Sequence, residues 1–159
     1  MRALGKQHVV LFTVLVILAI FFSGCTNNHS QSKALSNGYY TAEAENYDDS
    51  GWKDFVSIYV NNGHIVTVEY DAKNKSGFIK SWDQDYMRNM NAAAGTYPGK
   101  YAKEYAADLL LNQDPKRIDA ISGATHSYNK FIVLAGAVIE QARKGNKQIA
   151  RVALPLAKE

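Results

Sequence analysis

The 159-residue chain is 47% hydrophobic and 21% charged, a balance that suits one ordinary globular domain and excludes a disordered polar protein. Its formal net charge of +3 includes Arg2 and Lys6; without them 16 basic residues stand against 15 acidic ones, with no basic footprint for nucleic acid. A single cysteine, Cys25, excludes an intramolecular disulfide.

Arg2 and Lys6 precede an apolar run over residues 9–22 that only Thr13 interrupts. Fourteen residues are short for a spanning helix, which needs about 20, and the pattern reads as an export signal over residues 1–24. The run ends in Phe22-Ser23-Gly24-Cys25, which resembles the lipobox of bacterial lipoproteins with phenylalanine where leucine is usual. That resemblance implies cleavage before Cys25 and lipidation of its thiol, so that the mature chain is held on a bilayer outside the cytoplasm. Two or more acyl chains hold durably where one binds only marginally, since each buried methylene contributes about 0.8 kcal/mol. Residues 25–37 are polar and read as the lipidated cysteine followed by a flexible tether, its twelve residues spanning on the order of 20 Å.

The domain proper is expected over residues 38–159. Residues 39–44 read as a short strand that is aromatic at its start, residues 55–60 alternate as strands do, and residues 64–70 are rich in β-branched side chains. Asn61-Asn62-Gly63 between the last two is a hairpin signal, because Asn and Gly tolerate the positive φ of a tight primed turn. Ser81 is expected to cap a helix with Asp83 and Asp85 in its first turn, running past Met87 and Met90 to the alanines before Gly95. A second helix is predicted from Pro98 to about Asn112, with Tyr101, Tyr105 and Leu109 on one stripe and Asp114-Pro115 as its end. In the third, Phe131, Leu134, Ala135, Val138, Ile139 and Ala142 fall at helical spacing before Gly145. The tail from residue 146, broken by Pro155, is compatible with either an edge strand or a frayed end. The fold class is therefore α+β, a small antiparallel β-meander packed with about three helices in a single domain.

The third helix opens on Asp119-Ala120-Ile121-Ser122-Gly123-Ala124-Thr125-His126-Ser127. A helix start gathers unpaired N–H donors and suits an anion, while Ser122, Gly123 and Ala124 keep the backbone before Thr125 unobstructed. The run of Asp, two residues, Ser-Gly-Ala-Thr, one residue, Ser resembles the flavinylation motif of the FMN-binding domain family. Members serve in extracytoplasmic subunits of redox-driven ion pumps and in surface flavoprotein lipoproteins. The resemblance implies FMN joined covalently to Thr125 through a phosphodiester, delivered from FAD by a magnesium-dependent flavin transferase that releases AMP. It further implies an electron carrier between a membrane redox partner, such as a reductase, and a downstream or extracellular acceptor. Asp119 matches the motif's acidic residue; Ala120 stands where the family often has glycine. Ser122, Gly123, Ala124, His126, Ser127 and Tyr128 complete the candidate cofactor-binding set.

Other chemistry has little footing. The histidines at 8, 29, 64 and 126 are scattered without metal-ligand spacing, and no nucleophile elbow, GxGxxG fingerprint or phosphate loop occurs. Asp48 with Asp49, and Asp83 with Asp85, read as a turn and a helix first turn rather than as catalytic pairs. Trp82, Tyr97 and Tyr128 are candidates for stacking on an isoalloxazine ring. The alternative is a non-redox surface lipoprotein, an adhesin or assembly module, in which Ser122, Thr125 or Ser127 merely caps the helix.

Overall fold

The computed structural model describes residues 34–154. The expected export signal, Cys25, the expected tether as far as residue 33, and residues 155–159 lie outside the described residues. Three strands form the expected meander, β1 (Gly38–Ala44), β2 (Lys53–Asn61) and β3 (His64–Lys73), paired antiparallel in sequence. The turn between β2 and β3 places Asn62 at φ 50° and Gly63 at φ 77°, the left-handed pair that a primed two-residue turn needs. A fourth strand, β4 (Ala150–Val152), runs parallel to β1, so the tail forms an edge strand and the sheet is mixed, ordered β3-β2-β1-β4.

Three helices follow β3: α1 (Gln84–Ala94), α2 (Pro98–Asn112) and α3 (Thr125–Lys144). The cap of α1 corrects the sequence expectation. Asp83 accepts the Tyr86 N–H at 2.9 Å, whereas Ser81 lies one turn earlier in the 3-10 turn Lys80–Trp82, its own N–H directed to the Asp71 carboxylate. Helix α2 ends on Gln113, left-handed at φ 57°, just before Asp114-Pro115. Helix α3 stops at Gly145, whose N–H bonds back to Ala142.

The core lies between one sheet face and the helices α2 and α3. Tyr40, Ala42, Val56, Ile58 and Val60 from the strands meet Leu109, Leu134, Ala135 and Val138 from the helices, all buried. At its centre the Phe131 ring packs 5.3 Å from Tyr105 and 4.9 Å from Tyr70. The six predicted apolar positions of α3 are all inside, which makes this helix the main apolar bridge between the sheet and the functional loop.

Candidate functional site

The loop before α3 is held by phenols. Tyr105 Oη accepts the Ile121 N–H at 3.1 Å and donates to the Ala124 carbonyl at 3.4 Å. Tyr128 donates to the Ile118 carbonyl at 2.9 Å, and the Tyr70 hydroxyl lies 3.0 Å from the Ser127 carbonyl and 3.2 Å from Asp54 Oδ1. Buried phenols need such partners, and here each partner belongs to the loop or sits beside it. Burial pushes the Tyr70 hydroxyl well above its usual pKa, with the Asp54 charge adding to the effect. It therefore stays a donor at any physiological pH.

Gly123 sits at φ 78°, and a Cβ there would come 2.3 Å from the carbonyl oxygen of Ala94 at the end of α1. Glycine is needed twice over, for the left-handed backbone and for the close approach. Thr125 is the first residue of α3 and is exposed. No side chain caps the helix: the cap position is Ala124, so the first-turn amides keep their donor capacity and the positive end of the helix dipole.

Beside this start lies a cavity of about 410 Å³, within the ~300–1,000 Å³ usual for small-molecule sites. Gly123, Ala124, His126 and Ser127 form one wall; Trp52, Tyr86 and Tyr101 supply aromatic surface; Asp48, Asp54, Lys80 and Lys130 supply charge. Thr125 itself does not line the cavity, although its sequence neighbours Ala124 and His126 do. Asp119 and Ser122 are exposed and do not line the cavity. Among the stacking candidates, Tyr128 turns its ring to the core cluster, Tyr97 is the cap residue of α2, and Trp82 is 63% exposed against Phe78; none lines the cavity.

The two cations differ in their company. Lys130 is nearly buried and reaches both Asp48 Oδ2 and Asp54 Oδ2 at 2.9 Å. Burial disfavours its charge, but the Asp54 charge and the hydrogen bonds that Lys130 donates to both carboxylates outweigh that and hold its pKa above the ordinary value. For Asp48, burial is likewise outweighed by the Trp52 N–H and by Lys130, which keep its carboxyl below the usual range. Lys80 is 9% exposed and forms no ion pair among the described residues; its Nζ sits 4.6 Å from the Tyr86 ring centroid and 5.6 Å from that of Trp52. His126 is pushed below its usual pKa by partial burial and then by Lys130, so its imidazole is mainly neutral at pH 7.

Sequence reasoning did not find Trp52, Lys80, Tyr86 or Lys130, and it read Asp48 only as a turn. The turn is there, with Asp48 accepting the Ser50 and Trp52 N–H groups, but the second carboxylate oxygen serves Lys130. One signal was available. Lys130 falls four residues before Leu134 on the apolar stripe of α3, and a lysine on a buried stripe requires acidic partners inside.

A mixed four-stranded sheet backed by helices, with an accessible threonine at an uncapped helix start beside an aromatic and cationic cavity, defines a small α+β cofactor-binding module. The chain belongs to the FMN-binding domain family, whose profile matches residues 51–140, a range that holds Trp52, Lys80, Tyr86, Thr125 and Lys130. It is similar to the 15 kDa lipoprotein of Treponema pallidum (strain Nichols), 37% identical over 131 residues that span 82% of this chain and 89% of that protein. A crystal structure of a Clostridium perfringens protein, 34% identical, superposes with a TM-score of 0.73 over 76% of this chain and 99% of the other. A solution structure from Clostridium thermocellum is 31% identical, with a TM-score of 0.47 over 75% of this chain and 98% of the other.

The residues present suit FMN. Trp52 and Tyr86 give the cavity an aromatic lining suited to a flat amphipathic heterocycle, and the uncapped start of α3 offers amide donors to a phosphate.

Proposed function

We propose that the mature protein is a lipid-anchored extracytoplasmic flavoprotein that carries FMN covalently on Thr125 and passes electrons between a membrane reductase and a downstream or extracellular acceptor. The observation that carries this reading is the exposed Thr125 at a helix start that no side chain caps, beside the cavity. The similarity to a protein named as a lipoprotein supports the anchor at Cys25.

In the attachment step Thr125 Oγ1 forms a bond to the flavin-side phosphorus of FAD. The pyrophosphate bond breaks, AMP leaves with its electron pair, and the hydroxyl proton is released. The resulting phosphodiester would keep one negative charge, which the amide donors and dipole at the α3 start favour. Asp119, exposed ahead of the loop, is available to the transferase rather than to the cavity.

The bound flavin supplies the redox chemistry; the chain supplies orientation, partial exclusion of water and electrostatics. Trp52 and Tyr86 confine one side of the cavity. Lys80, without a carboxylate of its own, provides the positive charge that offsets an anion taken up there, whereas Lys130 is already neutralised by Asp48 and Asp54.

Incubating the exported domain with FAD, magnesium and a flavin transferase is expected to add the mass of one FMN residue, and Thr125→Val to abolish the addition. Colour should remain with the denatured band on a gel. Unchanged mass of the wild-type chain defeats the reading, and colour lost on denaturation replaces it with non-covalent binding.

A further inference from the structure

The two ends of the domain differ in kind. At one end lies the cavity, with the start of α3. At the other end four segments converge. Ser36 N–H bonds to the Ala142 carbonyl at 3.0 Å near the end of α3, and Asn37 Oδ1 accepts the Gly63 N–H of the β2–β3 turn at 3.4 Å. The Gln113 side chain, just past α2, bonds both the N–H and the carbonyl of Ile65 at 2.8 and 2.9 Å. Between these two ends runs α3, whose 20 residues measure about 30 Å.

The second end carries apolar surface that a water-facing pole does not need. Leu111 is 81% exposed and Leu110 41% in the last turn of α2, Val66 is 44% exposed next to Ile65, and Tyr39 is 72% exposed at the start of β1. The exposed Lys147 lies alongside Gly38 on this same end. Exposed apolar side chains at one end of the domain, with an amphipathic aromatic stacked on Tyr59 and a lysine at that same end, are the chemistry of a bilayer interface, where tyrosine rings sit at headgroup level and lysine faces anionic headgroups.

We propose that this pole, centred on Leu111 and Tyr39, rests on the surface of the bilayer that holds the lipid anchor, and so presents the Thr125 end about 30 Å away from the membrane. The occupant is argued from where the chain emerges. Only twelve residues separate Cys25 from Gly38, and Ser36 and Asn37 are fastened to this pole and no other. An anchor at Cys25 therefore brings lipid to this pole first, at high effective concentration. The inference rests on the lipid-anchor part of the proposed function and is independent of the flavin.

The test uses the full, acylated chain on vesicles of phosphatidylcholine and phosphatidylglycerol. Because Cys25 is the only cysteine and its sulfur is consumed by the lipid, an introduced cysteine is the sole site for an environment-sensitive dye. With Leu111→Cys the dye emission is expected to shift to the blue and to be quenched by a lipid-borne quencher. With Asp49→Cys, on the cavity loop, it is expected to remain that of water. Emission from water at both positions, in protein that floats with the vesicles, means free tumbling on the tether and overturns the orientation. Immersion at position 49 overturns it as well. A blue shift at position 111 that ignores the lipid quencher means that a second copy covers the face, and also overturns it. Protein left behind when the vesicles float removes the anchor reading, and the orientation with it.

Discussion

Gly123 shows how a single residue conditions the site. Its Cβ-free backbone lets the loop press on the Ala94 carbonyl while turning through a left-handed conformation. Gly123→Ala is expected to cost about 2–4 kcal/mol, from left-handed strain and forced separation of the loop from α1, and to lower Tm by on the order of 10 °C. A thermal melt of the unflavinylated chain checks this, because the effect precedes any cofactor. The small residues of the motif were legible in the sequence as such. What was not legible was the object they make room for, since Ala94 and Gly123 meet only after α1 and α2 have folded back.

The elements that matter most to the site are joined by one ion triad. Lys130 projects from α3 to Asp54 on β2 and to Asp48 in the β1–β2 connection, over sequence separations of 76 and 82 residues. Lys130→Met leaves Asp54 charged and nearly buried without its cation, and is expected to cost about 3 kcal/mol, the low end for breaking a buried pair because Asp48 is only partly buried. Denaturant melts of Lys130→Met and of the double variant with Asp54→Asn measure it; the double variant is expected to recover part of the loss, since the stranded charge is gone. Helix periodicity, the glycine stops and the Asn-Gly turn were readable because each is decided within a few residues. The cap of α1 was misplaced onto Ser81 because the Lys80–Trp82 turn, tied through the Ser81 N–H to Asp71, uses up that position before the helix begins.

Taken whole, the domain should be most stable near and above neutral pH and lose stability in acid. Glu43 is held below its ordinary 4.5 because hydrogen bonds from Lys53 and Lys73, with their charges, outweigh burial, and Asp48 is held below its ordinary 3.8. Each binds protons less readily folded than unfolded, so its contribution is present above the unfolded value and is lost as pH falls through the lowered one. His126, also lowered from 6.5, acts in the same direction with a small decline as pH falls below the unfolded value. Lys130 has the opposite sign: its raised pKa gives stability that is present below 10.5 and lost only as pH rises through the folded value. Chemical denaturation between about pH 3 and 8 is expected to show a plateau at neutrality, a shallow decline through pH 6 and a steep fall below about pH 4.5. A flat profile through pH 4 contradicts the carboxylate assignments. The sequence by itself determined the order of the three meander strands and the three helices, the buried stripe of α3 and the position of Thr125 at a helix start, because periodicity, turn residues and a short motif are local signals, while the tail strand β4 was left open. Only the tertiary structure decided which side chains surround that start: Trp52, Lys80, Tyr86 and Lys130 reach one cavity from three separate parts of the chain, and no local pattern encodes a meeting that packing of α3 against the sheet brings about.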